Sequence, residues 1–202
     1  MFTGLVEAQA RLLAVAAEPA GKRFTVARPR GFSDCNLGDS IAINGCCLTI
    51  VELDEIQMVF QAGEETLSRT TLGRQTVGAL LNCERAMRLG DRIGGHLVSG
   101  HIDGIAHVAK RSDDDEWSKI FFAAPPLLLR QMVSKGSIAV DGTSLTLVDV
   151  DDKQFSVALI PHTLDATNLG QLQAGQQVNL ETDLLAKYVQ RQLDTASWAM
   201  QG

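Results

Sequence analysis

Ser40-Ile41-Ala42-Ile43-Asn44-Gly45-Cys46-Cys47-Leu48-Thr49 returns, 97 residues further on, as Ser137-Ile138-Ala139-Val140-Asp141-Gly142-Thr143-Ser144-Leu145-Thr146. Glu65-Thr66-Leu67-Ser68-Arg69-Thr70-Thr71-Leu72-Gly73 returns at the same offset as His162-Thr163-Leu164-Asp165-Ala166-Thr167-Asn168-Leu169-Gly170. Gly78, Asn82 and Glu84 recur as Gly175, Asn179 and Glu181. Solenoid repeats have periods of roughly 20–50 residues, so an interval this long means two copies of one small domain. The copies share a scaffold. Their departures, Cys47 against Ser144 above all, imply that they no longer do the same work.

Length allows one or two domains, and the repeat decides for two. The expected division is 1–96 for a first barrel, 97–183 for a second, and 184–202 for an oligomerisation helix and tail. Aromatic residues are only 5% of the chain, which predicts cores of Val, Ile, Leu and Ala. The net charge of −6, with no basic stripe, argues against nucleic-acid binding. Nothing approaches the ~18 apolar residues of a membrane span. The N-terminus has no basic region, and Glu7 and Arg11 interrupt its apolar stretch, so no secretory signal is expected. The four cysteines, Cys35, Cys46, Cys47 and Cys83, form no C-x-x-C pair, as in a reduced cytoplasmic protein. Asp113, Asp114, Asp115 and Glu116 read as a solvated hairpin tip that discourages aggregation.

Both halves are strand-rich. Residues 5–15 and 23–28 alternate with period two. Asn44-Gly45 and Asp141-Gly142 lie between β-branched stretches and predict type I′ hairpin turns. Further strands are expected over 58–61 and 80–84, and over 154–159 and 177–181. Short helical turns are expected near 65–67 and 163–165. The fold class is all-β: two tandem six-stranded Greek-key barrels related by duplication, plus a C-terminal amphipathic α-helix. That helix, about three turns, carries Leu184, Leu185, Tyr188, Val189 and Leu193 at helical spacing and has no first-half counterpart. It either associates with other subunits or covers its own barrel.

Cys47 and Thr49 share a strand face, as do Ser144 and Thr146. Repeated small polar residues on one face either satisfy each other or line a pocket. A thiol in one place and a hydroxyl in the other would suit one nucleophile or proton carrier and one neutral donor. His96, His101 and His107 match no familiar metal spacing, so no metal site is expected. His101 stands out because Leu5 occupies its place in the first half. No G-x-G-x-x-G, P-loop or G-x-S-x-G motif occurs, which disfavours dinucleotide, phosphoryl-transfer and hydrolase chemistry.

Several motifs together resemble the riboflavin synthase family, alpha-chain type: Met-Phe-Thr-Gly-Leu-Val-Glu at 1–7, Asn-Gly-Cys-Cys-Leu-Thr at 44–49, Glu-Thr-Leu at 65–67, Gly-Gly-His-Leu-Val-Ser-Gly-His at 94–101 and Asp-Gly-Thr-Ser-Leu-Thr at 141–146. The resemblance spans essentially the whole chain. It implies a homotrimer held partly by C-terminal helices, no cofactor and no metal. It implies that two 6,7-dimethyl-8-ribityllumazine molecules exchange a four-carbon unit to give riboflavin and 5-amino-6-ribitylamino-uracil, at a site between barrels of neighbouring subunits. By position, a first pocket would use Gly4, Leu5, Val6, Cys47, Leu48, Thr49, Gln61, Ala62, Gly63, Glu64, Glu65 and Thr66. A second would use Gly100, His101, Ile102, Ser144, Leu145, Thr146, Ala158, Leu159, Ile160, Pro161, His162 and Thr163, with Lys135 reaching across from a neighbour. The implied catalytic residues are Phe2, Ser40, Cys47, His101, Thr146 and Asp183. His101 would move protons, Ser40 and Cys47 would flank the attacked ring, and Asp183 would handle or orient a proton. The rival expectation is a lumazine- or flavin-binding antenna protein with the same barrels and no catalysis. A flavin-dependent reductase would need a nucleotide domain for which there is no room.

Overall fold

The computed structural model describes residues 1–199, with side chains through residue 195; positions 200–202 of the expected tail lie outside the described residues. The first half contains β1 (Ala8–Glu18), β2 (Gly21–Ala27), β3 (Ser40–Ile43), β4 (Cys46–Leu53), β5 (Gln57–Gly63), α1 (Glu64–Arg69) and β6 (Leu80–Arg85). The second contains β7 (Gly104–Asp114), β8 (Trp117–Ala123), α2 (Pro126–Leu129), β9 (Ser137–Val140), β10 (Thr143–Val150), β11 (Gln154–Leu159), α3 (Pro161–Ala166) and β12 (Gln177–Thr182). The last helix, α4 (Leu184–Ala199), follows directly. Each set of six strands closes into an antiparallel barrel, ordered β1-β2-β5-β4-β3-β6 and β10-β11-β8-β7-β12-β9. Closure leaves no free sheet edge in either half.

The alternation that predicts the strands also fills the barrels. Cys46, Leu48 and Ile50 of β4 point into the first core, and Cys47 and Thr49 point out. The cores differ from expectation in one respect. Six of the seven phenylalanines (Phe2, Phe24, Phe32, Phe60, Phe122 and Phe155) are among the largest fully buried side chains. Each contributes roughly 1.5–3 kcal/mol of apolar burial and sits among the expected Val, Ile, Leu and Ala, which still make up most of both cores. Phe122 and Phe155 stack at 5.2 Å in the second barrel. β1 also starts later than its alternation suggests: residues before Glu7, whose N–H still donates to the Cys83 carbonyl of β6, leave the first barrel and run to the seam between the halves. The last helix has 16 residues rather than about three turns.

The seam is a pseudo-twofold contact built on the two hairpin turns. Asn44 and Gly45 have φ of 44° and 78°, and Asp141 and Gly142 have 43° and 78°, as the I′ turn requires. Hairpin tips normally sit in water. Here Asn44 and Asp141 are buried, and a Cβ on Gly142 would lie 2.7 Å from the Gly45 nitrogen. The hydrogen bonds across the seam are reciprocal. Asn82 Nδ2 donates to the Asp141 carbonyl at 2.9 Å, and Asn179 Nδ2 donates to the Asn44 carbonyl at 2.8 Å. The Thr71 N–H donates to Asn179 Oδ1 at 2.7 Å, and the Asn168 N–H donates to Asn82 Oδ1 at 2.8 Å.

A pair of substitutions separates backbone strain from packing at this seam. Gly175 is also left-handed (φ 87°), but its Cβ position is open space. Gly175→Ala should therefore cost only about 1–2 kcal/mol. Gly142→Ala adds a clash with the opposite turn and should cost about 3 kcal/mol or more, read as the difference in urea unfolding free energy.

Candidate active site

Two buried carboxylates bring the halves' chain starts across the seam. Glu84 of β6 accepts from the Thr3 N–H (2.6 Å) and hydroxyl (2.7 Å) on one oxygen, and from the Gly4 N–H (3.0 Å) on the other. Glu181 of β12 does the same for the Ser99 N–H (2.6 Å), the Ser99 hydroxyl (2.8 Å) and the Gly100 N–H (2.8 Å). Burial pushes the Glu84 carboxyl up, and the three donors oppose that shift. Between the two clamps, Phe2 and Val98 exchange backbone hydrogen bonds at 2.7 and 3.1 Å. Phe2, Val98, Ala42 and Ala139 form a small apolar cluster with Cys47 against it.

The held segments then reach the opposite barrels. The Gly4 carbonyl accepts from the Ser144 N–H at 2.7 Å, and the Gly100 carbonyl accepts from the Cys47 N–H at 2.8 Å. Both glycines are left-handed, and a Cβ on either would lie 2.6 Å from the Cβ of Ser144 or Cys47. This overturns the expected grouping of the site residues. Gly4, which leads Leu5 and Val6, abuts Ser144 of the second barrel, and Gly100, which leads His101 and Ile102, abuts Cys47 of the first. Ile102 packs against the first barrel's core. The chain crosses because Glu84 and Glu181 turn each start away from its own β4-type strand.

Two candidate sites result. In the first, Ile50 pairs with Phe60, which brings Gln61, Ala62 and Gly63 alongside Cys47, Leu48 and Thr49. Glu64, Glu65 and Thr66 follow on α1, and Gly100, His101 and Ile102 close the other side. In the second, Leu147 pairs with Val157, which brings Ala158 and Leu159 alongside Ser144, Leu145 and Thr146. Ile160, Pro161, His162 and Thr163 continue into α3, and Gly4, Leu5 and Val6 lie across from them. Leu48 and Leu159 point into the cores, so only their backbones face a site. Thr49, Gln61, Gly63, Glu64 and Glu65 are exposed, as are Thr146, Ala158, Ile160 and His162. Each site is thus an open shelf.

Of the expected catalytic residues, Phe2 is fully buried beneath both shelves. Cys47 is the half-buried thiol; burial pushes Cys46 and Cys83 up to about 12, which leaves them inert. Ser40 pairs with Thr49 and shares its face. Ser40 also lines a cavity of about 560 Å³ with Leu5, Glu84 and Arg88 that includes neither Cys47 nor Thr49. His101 is exposed beside the Gly100–Cys47 contact. Thr146 pairs with Ser137 on the second shelf. Asp183 accepts from the Leu185 N–H at 2.9 Å and caps α4. Lys135 is exposed with φ 69° and donates its N–H to the Leu147 carbonyl. Among the described residues, no group of three or more His, Cys, Asp or Glu side chains is placed to hold a metal ion.

Sequence reasoning missed the carboxylate clamps, the amide network and His96. Asn-x-Glu at 82–84 and at 179–181 was the visible signal, a repeated polar pair inside an apolar strand. The network differs between the halves at two positions: Asn168 stands where the first half has Thr71, and Asp141 where it has Asn44. Burial pushes the Asp141 carboxyl up to about 7, against hydrogen bonds from the Asn179 N–H (2.7 Å) and Asn168 Nδ2 (2.9 Å). A carboxyl raised on folding contributes stability that is full in acid and lost as pH rises through about 7. Asp141→Asn should remove that loss. Relative to wild type, the variant should gain stability between about pH 5 and about pH 8, measured by urea unfolding at both. Parallel pH profiles would show that Asp141 does not titrate on folding.

Comparison with known proteins agrees with this geometry. The lumazine binding domain family matches twice, at residues 3–86 and 99–183. A riboflavin synthase from Actinobacillus pleuropneumoniae is 40% identical over 193 residues, covering 95% of this chain and 89% of that protein. The riboflavin synthase of Mycobacterium tuberculosis strain H37Rv is 41% identical over 200 residues, covering 97% and 100%. Among solved structures, LumP complexed with riboflavin superposes with a TM-score of 0.85 at 24% identity, covering 90% of this chain and 99% of that one, a likeness of fold.

Proposed function

The chain belongs to the riboflavin synthase family, and on that premise we propose that its two shelves each seat one 6,7-dimethyl-8-ribityllumazine and that a four-carbon unit passes between them. The products are riboflavin and 5-amino-6-ribitylamino-uracil. One heterocycle gains the four carbons the other loses, so no external oxidant or reductant is needed. The observation that carries this reading is the crossed clamp. It puts a thiol, Cys47, and a hydroxyl, Ser144, in equivalent places beneath equivalent backbone carbonyls. Two like sites with unlike side chains suit one substrate used in two roles.

The chemistry asks little of the protein beyond placement. The electron-poor ring already acidifies its 7-methyl group, so a modest base suffices, and His101 is exposed where it can serve. Ser40 and Cys47 flank the ring that is attacked. Asp183 orients or exchanges a proton at the head of α4. Holding two reactants face to face is worth up to roughly 7–11 kcal/mol in favourable cases.

The open shelves call for a second subunit, and the reading is a cytoplasmic homotrimer. Leu185, Tyr188, Val189 and Leu193 of α4 are each about three-fifths or more exposed and form one stripe. Lys187 anchors the helix to Asp103 at 2.7 Å and leaves that stripe outward. A neighbour's helix would cover it, and a neighbour's second shelf, with Lys135, would face this first shelf.

Incubation with the ribityllumazine alone should produce riboflavin's absorbance and green emission; binding without turnover would mark an antenna protein instead. Cys47→Ser should slow turnover more than it weakens ligand binding, and equal loss of both would make the thiol a packing residue. Removal of residues after Asp183 should give monomers with little activity. An intact, active oligomer in light scattering would contradict the intersubunit site.

A further inference from the structure

Ser144 is held on every side but one. Its N–H donates to the Gly4 carbonyl at 2.7 Å. A Cβ on Gly95 would lie 2.6 Å from Ser144 Cβ and 2.8 Å from its Oγ, so the backbone there presses directly on the side chain. The next residue supplies the last restraint. His96 Nδ1 lies 2.7 Å from Ser144 Oγ, and the His96 N–H donates to the Thr3 carbonyl at 3.1 Å. His96 is only 9% exposed, and its Nε2 is buried without a partner among the described residues. Cys47 has the matching glycine clamp but no imidazole, and its sulfur makes no hydrogen bond among the described residues.

An orphaned ring nitrogen selects the tautomer. A buried N–H without an acceptor is rarer than an under-used lone pair. The proton therefore belongs on Nδ1, facing Ser144, and Nε2 stays bare. Burial lowers the imidazole's pKa, against the opposing influence of Asp183 and Glu181, which favours the neutral ring. Ser144 Oγ then receives the Nδ1–H, and its own O–H is free to point outward from the shelf.

We infer that His96 is a positioning residue that fixes Ser144 as a hydrogen-bond donor to a carbonyl or ring-nitrogen acceptor of the heterocycle on the second shelf. This rests on the reading that residues 144–146 line a ligand site. A thiol is a weak donor, so the two shelves hold the same ring edge unequally: firmly and directionally at Ser144, loosely at Cys47. His96 thereby sharpens the difference in role that the duplication began.

Two measurements on the assembled full-length protein test this. Nitrogen NMR of histidine-labelled wild-type protein should give His96 one protonated-type Nδ1 and one bare Nε2; an Nε2–H tautomer or a cation would overturn the inference. Titration with riboflavin, which the forward reaction does not consume, should show His96→Leu weakening one class of site about threefold to tenfold and leaving the other unchanged. KM should rise by a similar factor, with kcat falling less. His96→Asn, whose amide reaches the place of Nδ1, should restore most of the loss; failure of that rescue would reduce His96 to a structural residue. Ser144→Ala distinguishes the two ways of being wrong. If it weakens one site while His96→Leu does not, only the role of His96 fails. If neither weakens a site, the placement of Ser144 against ligand fails, and this inference with it.

Discussion

Everything functional in this chain hangs from two buried carboxylates. Glu84 and Glu181 each gather two backbone N–H groups and a hydroxyl from the start of a half, and all six donors lie within 3.0 Å. A carboxylate with three charge-assisted partners tolerates burial that would otherwise neutralise or expel it. The grip sets where Gly4 and Gly100 lie, and hence which carbonyl meets Ser144 and which meets Cys47. The Phe2–Val98 bridge and its small apolar cluster then hold the same two segments at the seam.

The seam enforces likeness while the shelves permit difference. At the seam the Asn82 and Asn179 amides, the two I′ turns and the paired glycines repeat nearly atom for atom. On the shelves the residues diverge: thiol against hydroxyl, Glu65 against His162, Leu5 against His101. Geometry is shared because a close-packed contact between two copies has little slack. Chemistry diverges because each shelf is open and does not pack against its twin.

Much of this was legible in the sequence, and the remainder has a physical reason for being hidden. Asn44-Gly45 and Asp141-Gly142 gave the turns, and alternation put Cys47 and Thr49 on one strand face, which the structure turns outward. The strand number followed from turn spacing, and α1 and α3 lie where helical turns were expected, whereas α2 was not foreseen. Nor was the crossing, because Gly4 and Gly100 read equally well as turn glycines, and contacts over 80 or more residues leave no periodic trace. The aliphatic majority of the cores was legible, but the burial of six phenylalanines was not, because composition reports how many rings exist and not where they sit. His96 was weighed only as a metal ligand. Its link to Ser144 spans 48 residues and depends on the bend at Gly95.

The reciprocity of the seam also bears on how such a protein arises. Each half finishes a shelf belonging to the other, so a lone ancestral barrel could have made these contacts only by embracing an identical twin about a two-fold axis. In that pairing any substitution strikes both shelves at once, and a thiol on one side means a thiol on the other. Joining the twins into a single gene product breaks that lockstep. The covalent link is what freed one shelf to carry a thiol while the other carries a hydroxyl.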